Sequence, residues 1–595
     1  MNHLRRFSRS FGFTPAALLC LAIWLQTQVN ASGDDALLRS MRDELHRSLT
    51  LHMPGLDGPY YVEYSVQDGE SYMVSGTLGA LLESTHHQFR QPSVELRVGS
   101  PKFDNTNCVF AGFLFAPAYN LGGMPVENDY RVLRRYFWLA SDLAYKVALE
   151  SISRKRAALK NYNQSEAIED FAKAEPVKIQ LEPVTTLVPI SGWEDCVRRV
   201  SAVFNAHSVI TQSSLRFYAV QSTFYFANTE GTEVRVPERA AYFQIKARGQ
   251  APDGMVLRDV AIFHSRDFHH LPGEEELRRA AEDVAANVAA SAHSPIGESY
   301  SGPVLFEGMA AAQLFAELLG RNLALRRQPL SEPGRLVQIQ ESELDGRLGS
   351  RILPEWMDVW DDPVRETWQG RPLFGHYVVD LQGVPPTPLQ VVNKGILRAF
   401  LLTRQPVRGF SGSNGRARLP GSFGAKAPCF GNLIVMANRT MDFHKLKQKL
   451  LQLAEERNKP YAILVRKMDF PSSLSFEEFR RLAARLSAQG ARLVSSPLLV
   501  YKVEKDGRET LIRGLHFQGL SVRSLRDIVA ASEQSYVFDF MENGAPLALM
   551  DVGSWVAESS VVAPAVLLDD LQLIPLEGEW PKPPVVPPPP LEFIR

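Results

Sequence analysis

Gly302-Pro303-Val304-Leu305-Phe306-Glu307-Gly308-Met309-Ala310-Ala311 joins a short apolar strand, Pro303 to Leu305, to a helix that carries Glu307 and runs to Leu319 before Gly320 ends it. A single carboxylate in such an apolar setting has two readings. As the general base of a metal-dependent hydrolase it needs nitrogen, sulfur or oxygen ligands beside it, and neither the phenyl ring of Phe306 nor the methyl group of Ala311 has a lone pair to give. As a structural residue it sits near a helix start, where the positive end of the helix dipole favours an acid. Phe306 and Met309 read as core. No histidine in the chain is followed directly by glutamate, so His-Glu-x-x-His and its six-residue variant are both absent.

Outward from this segment the second half continues with helices at Lys445 to Arg457 and Phe476 to Ser487, and a strand at Tyr461 to Val465 between them. Leu498 to Val503 and Glu509 to Leu515 flank Asp506-Gly507, a hairpin signal. The first half opens with an amphipathic helix on Leu37, Leu38, Met41, Leu45 and Leu49. Strands are expected at Tyr60 to Val66 and Ser93 to Val98, then a long helix over Tyr130 to Lys160 with Tyr136, Leu139, Leu143 and Val147 facing the core. Arg154-Lys155-Arg156 on that helix reads as a solvated basic face. Strands over Leu215 to Ala247 turn at Asn228-Thr229-Glu230-Gly231, and an alanine-rich helix from Glu274 to about Ala292 closes this half before Ser294-Pro295-Ile296-Gly297, a plausible boundary.

Several pieces together resemble the TldD/PmbA family of zinc metallopeptidases. In the first half these are Tyr60-Tyr61-Val62-Glu63-Tyr64, Arg97-Val98-Gly99 leading into Phe103-Asp104-Asn105-Thr106-Asn107, the helix from Ala144 to Lys155, and the Asn228–Gly231 turn. In the second they are Gly302 to Glu307, Asp380-Leu381-Gln382-Gly383-Val384, Gly395-Ile396-Leu397, Gly431-Asn432-Leu433 and Ala563 to Leu568. The resemblance implies an α+β chain, with an α/β domain over 32–297 and a C-terminal domain with a large antiparallel sheet over 298–580. It also implies assembly into a two-subunit particle. Active members carry His-Glu-x-x-x-His where this chain has Phe306 to Ala311, and a cysteine from the C-terminal domain completes their zinc site. By that resemblance Phe306 and Ala311 are degenerate ligand positions and Glu307 a vestigial base. The chain is similar to the zinc-less, PmbA/TldE-like subunit type, for which no cofactor is expected.

At 595 residues the chain is long enough for two domains or more. Its 65 basic and 66 acidic residues leave a formal charge of -1, so no overall field points to nucleic acid or an anionic membrane. Residues 1–31 read as an export signal: Arg5, Arg6 and Arg9 precede an apolar run from Pro15 to Leu25, and Val29-Asn30-Ala31 supplies a cleavage site. That implies a periplasmic or extracellular protein with no membrane span after cleavage, an uncleaved anchor being the alternative. Cys108, Cys196 and Cys429 then remain, an odd count with no disulfide framework in the spacing. Cys429 reads as a free loop thiol. The tail over 581–595, mostly proline from Pro581 to Pro590, favours extended polyproline conformation.

The densest histidine group, His264 with His269 and His270 around Asp267, is the alternative metal site, two ligands five apart in what reads as a surface loop. Gly409 to Gly415 lacks the Lys-Ser or Lys-Thr of a phosphate loop and reads as a cleft rim. The leading expectation is a non-catalytic subunit that supports proteolysis or binds unfolded peptide, with a zinc-bearing TldD-like subunit or a second copy as partner. The peptide would add as a strand at the edge Asn432-Leu433-Ile434-Val435. The alternatives are an active metallopeptidase using His264 and His269, and a stand-alone extracytoplasmic scaffold that docks a partner through its proline tail.

Overall fold

The computed structural model describes residues 35–109, 118–119, 123–160, 168–183, 186–331, 341–420, 425–470, 480, 494–542, 557–578 and 580. The segment expected to be an export signal, the proline tail and the helix expected over Phe476 to Ser487, apart from the helical Arg480, lie outside the described residues.

Two large sheets with helices packed on them make a mixed α+β protein. The first helix, α1 (Ala36–Ser48), starts at Asp35, whose carboxylate accepts from the Leu38 backbone N–H at 3.0 Å. It buries Leu37, Leu38, Met41 and Leu45 as the spacing requires, but leaves Leu49 exposed just past its end. Strands β1 (Pro59–Thr77) and β2 (Ala80–Ser100) form one long hairpin closed by Leu78 and Gly79, both at positive φ. Both strands are much longer than the sequence suggests. A leucine at φ +50° is no turn signal, and in the far half only Tyr72 and Val74 of β1 mark a buried face among mostly polar residues that pair across the hairpin.

Helix α2 (Tyr130–Leu159) packs against β2 and α1. Its core stripe runs through Leu133, Phe137, Ala140, Ala144, Ala148 and Ile152. Of the residues expected there Tyr136 is buried, Leu143 and Val147 are half-buried, and Leu139 is 42% exposed. Small alanines let the helix approach the sheet closely, and the larger leucines fall beside the seam. Lys155 is not on a solvated face: its Nζ is buried on Asp170 Oδ2 at 2.5 Å and on the carbonyls of Asp104 and Thr106. Strand β3 (Lys178–Gln180), helix α3 (Ile190–Ser201) and strands β4 (Ile210–Asn228), β5 (Glu233–Gln250) and β6 (Val256–Ser265) follow. At the β4–β5 turn Asn228 Oδ1 accepts from the N–H groups of Glu230 and Thr232, both at 3.0 Å. Helix α4 (Glu274–His293) then covers β5 and β6. Sheet order is β2-β1-β4-β5, with β3 and β6 both on the outer side of β5.

The chain enters the second sheet at β7 (Tyr300–Phe306), followed by helix α5 (Met309–Leu318). Further strands are β8 (Met357–Asp361), β9 (Leu389–Asn393), β10 (Ile396–Leu397) and β11 (Asn432–Ala437). Helix α6 (Phe443–Glu456) precedes β12 (Tyr461–Met468), β13 (Pro497–Glu504), β14 (Glu509–Ile512), β15 (Leu515–Gln518), β16 (Ile528–Glu542) and β17 (Ala557–Pro575). The order is β10-β9-β8-β11-β17-β7-β12-β13-β14, with β15 and β16 also on β17. Most pairings are antiparallel, but β7 runs parallel to β12, and β11 parallel to β17. Among the described residues no helix is long and apolar enough to cross a membrane.

Buried ion pairs tie the two sheets together. Lys426 Nζ sits between Glu63 and Glu95, and Glu95 also binds Arg97. Arg404, with no exposed surface, donates to Tyr61 Oη, the Ala172 carbonyl and Glu230. On another side Lys467 meets Asp259 at 2.7 Å and Arg258 meets Asp469 at 2.9 Å, fastening β6 to β12 and the residue after it.

Candidate functional site

Phe306 is the last residue of β7 and Ala311 lies in the first turn of α5, so the two positions that by the resemblance would carry ligands flank the strand-to-helix junction. Both have no exposed surface. The Phe306 ring lies 5.7 Å from that of Phe517, inside the main core of the second sheet. Glu307 is not on the helix, as the sequence suggested. Its N–H continues the β7–β12 pairing by donating to the Val465 carbonyl at 3.0 Å, and Gly308, at φ +60° and ψ −137°, delays the first helical residue to Met309. Met309 is 53% exposed and is not core.

The Glu307 side chain is held by a cation. Arg466 Nε donates to Glu307 Oε2 at 2.8 Å and Arg466 Nη2 to Glu509 Oε2 at 3.0 Å, with the guanidinium 4.6 Å above the Tyr501 ring. Lys447 also reaches Glu509, at 2.6 Å. Burial works against the charge on Arg466, but the two carboxylates outweigh it and raise its pKa.

Beside this junction lies a cavity of about 530 Å³ between the two sheets. One wall is β6 and Arg266, from Val260 onward. The other is formed by Val537, Phe538 and Asp539 of β16, with Phe374, Phe470 and Met309 adding apolar surface. Strand β6 pairs with β5 and β16 with β17, and the other edge of β16 is bridged to Met441 only at Ser532, so among the described residues β6 and the 537–539 stretch of β16 each present an edge without a further strand. Charges on the walls are largely matched: Arg371 Nη2 meets Asp539 Oδ2 at 2.6 Å.

The expected peptide edge at Asn432 and Leu433 is corrected by the pairing. Strand β11 lies between β8 and β17, and Asn432 is fully buried with its Nδ2 on the carbonyls of Asp362 and Arg365. Its unbroken Leu-Ile-Val run is the pattern of a strand covered on both faces.

His264 is on β6 rather than in a surface loop. It lines the cavity with its ring 5.3 Å from Phe374, and burial pushes its pKa down to about 3. His269 stands exposed in a short turn, its Nδ1 2.8 Å from Asp267 Oδ1. No group of three or more His, Cys, Asp or Glu side chains suited to a metal occurs among the described residues. Cys429 is likewise buried rather than loop-exposed. Its Sγ lies 3.6 Å from Ser559 Oγ, and burial pushes the thiol up to about 12. The donor set at this place therefore does not fit a catalytic zinc ion. The cavity edge itself was missed in the sequence, because a free strand edge and a paired one share one apolar pattern.

Residues 299–459 match the family described as PmbA/TldA metallopeptidase C-terminal domain. The fold is similar to that of TldE from Thermococcus kodakarensis, with a TM-score of 0.55 at 14% identity over 91% of this chain and 100% of that one. It is also similar to a Thermotoga maritima protein described as a DNA gyrase modulator, with a TM-score of 0.52 at 15% identity over 86% of this chain and 96% of that one. A Bacteroides thetaiotaomicron protein of the same description gives a TM-score of 0.52 at 9% identity over 90% of this chain and 98% of that one. No curated protein matches the chain by sequence. The order of family-like segments, the matched C-terminal domain over 299–459 and the shared two-sheet architecture all support the resemblance to the TldD/PmbA family of metallopeptidase-related proteins.

Proposed function

We propose that this chain is a non-catalytic, exported subunit that binds unfolded peptide in the cavity between β6 and β16 and pairs with a zinc-bearing relative. The observation that carries the reading is the pair of fully buried hydrocarbon side chains, Phe306 and Ala311, on either side of Glu307. Amide hydrolysis by this class needs a metal to polarise the carbonyl and to lower the pKa of water to about 7. A carboxylate already bound to Arg466 does neither. Peptide binding is favoured by the cavity walls: two unpaired strand edges offer main-chain hydrogen bonds at little sequence demand, and Phe374, Phe470, Phe538 and Met309 offer apolar contact.

The test is fluorescence anisotropy with a labelled, unstructured apolar peptide, run alongside a cleavage assay. Saturable binding without cleavage, unchanged by added zinc or by chelator, is expected, and Met309→Glu should weaken it roughly tenfold because the new carboxylate must be desolvated at the rim. Chelator-sensitive cleavage by the purified protein would overturn the reading. Export and a zinc-bearing partner are supported by the leader-like segment and by the missing ligands. Co-purification of an intact-histidine relative from the same cell envelope fraction tests both.

A further inference from the structure

The near-zero net charge hides a strongly basic face on the helices of the first sheet. Where α1 packs against the start of α2, a shallow trough of about 540 Å³ is lined by Arg47, Arg131, Arg134 and Arg135 around Glu44 and Trp138. Four guanidinium groups thus face one carboxylate. Glu44, whose side chain is 2% exposed, is shared by Arg47 and Arg134, the latter at 3.2 Å. Arg131 and Arg135 have no carboxylate within ion-pair distance among the described residues, so the trough carries a net charge of about three.

The same stripe of α2 exposes apolar side chains. Val132 is 44%, Trp138 41% and Leu139 42% exposed, and positions 131, 132, 135, 138 and 139 recur at the spacing that places them on one helical face. The Arg47 guanidinium lies 5.9 Å over the Trp138 ring. Exposed tryptophan and leucine gain nothing beside a soluble polyanion. Under a layer of phosphates they gain by entering the interface while the arginines pair with headgroups. The chain upstream fits such a surface. Ten residues lead from Leu25, the end of the apolar run, to Asp35 at the start of α1, a reach of at most about 35 Å.

We propose that this face docks on an anionic phospholipid surface, with Arg131 and Arg135 on headgroup phosphates and Trp138 and Leu139 in the interface. The test uses the full chain and co-sedimentation with vesicles of phosphatidylcholine alone or with about one-third phosphatidylglycerol. The leader carries Arg5, Arg6 and Arg9 and itself favours the anionic vesicles, equally in wild type and variants, so the change in the ratio of the two affinities between them reports the face. The wild type should prefer the anionic vesicles, the preference should vanish in high salt, and Arg131→Ala/Arg135→Ala should lower it by roughly five-fold per arginine. Both arginines are exposed, so the double variant should melt with the wild type. Trp138→Ala/Leu139→Ala provides a second variant and should weaken binding to anionic vesicles. A ratio near one for the wild type, or a ratio that neither variant changes, overturns the proposal. So does binding to a soluble acidic peptide with no preference for anionic vesicles, which would mean a protein partner.

Discussion

Arg466 Nε donates to Glu307 Oε2 across 2.8 Å, from the strand that runs parallel to the one ending at Phe306. By the resemblance, the corresponding carboxylate of an active member would act as a base toward zinc-bound water. Here it is one arm of a Glu307–Arg466–Glu509 bridge that joins the strand-to-helix junction to β14.

Arg466→Ala should therefore cost stability without releasing activity. The bridge is partly exposed, with side chains 22% to 37% accessible, so its loss is expected to cost about 1 kcal/mol in urea unfolding. Peptide cleavage should stay at background with zinc added. A variant that cleaves would mean that the arginine suppresses a latent site.

Phe306 is expected to act through packing alone. Phe306→Ala should cost about 3–5 kcal/mol, because its buried ring leaves a cavity against Phe517 that a fused strand end cannot close. Chemical denaturation monitored by circular dichroism measures it. A loss below about 1 kcal/mol would mean that the ring does not serve as core packing there.

The helices were legible where apolar spacing and a capping acid coincide, as at Asp35 with Leu37, Leu38, Met41 and Leu45. So was the Asn228–Gly231 turn, since its chemistry is local. What stayed hidden was relational. Leu139 and Ala140 are neighbours in sequence, and only the tilt of α2 on the sheet determines which is buried. Lys155 reads as surface until Asp170 is folded against it. At the candidate site the missing ligands at 306 and 311 are visible in the sequence. The opposing edges of β6 and β16 are not, because they meet only after two separate sheets dock.

Lys426 between Glu63 and Glu95 should be a sensitive charge for the docking of the two sheets. Removing it as Lys426→Met leaves the buried Glu63 without a cation beside Glu95, which keeps Arg97 alone, and a loss of about 3–5 kcal/mol is expected. The triple variant Lys426→Met/Glu63→Gln/Glu95→Gln removes both carboxylate charges. It should recover part of that loss, although Arg97 then keeps only Asp104 as an ionic partner. If Lys426→Met alone unfolds like the wild type in urea, the triad contributes nothing to docking the sheets.

Glu238, on β5, should make stability fall with rising pH. Burial, with the charge of Glu558 nearby, raises its pKa from 4.5 to about 7, while Gln67 Nε2 donates to it at 2.9 Å. The folded state therefore holds a proton that the unfolded chain releases. Its contribution is fully present below about pH 4.5, declines between there and about pH 7, and is gone above that range. Glu238→Gln keeps an acceptor for Gln67 and abolishes the titration. Relative to the wild type it should be neutral at pH 4 and more stable by on the order of 1–3 kcal/mol at pH 8. Urea unfolding of both proteins across this range isolates the difference from every other carboxylate. A difference that grows toward acid instead would mean that Glu238 is ionised in the fold and paired with a cation, Arg266 or Arg418 being nearest to hand.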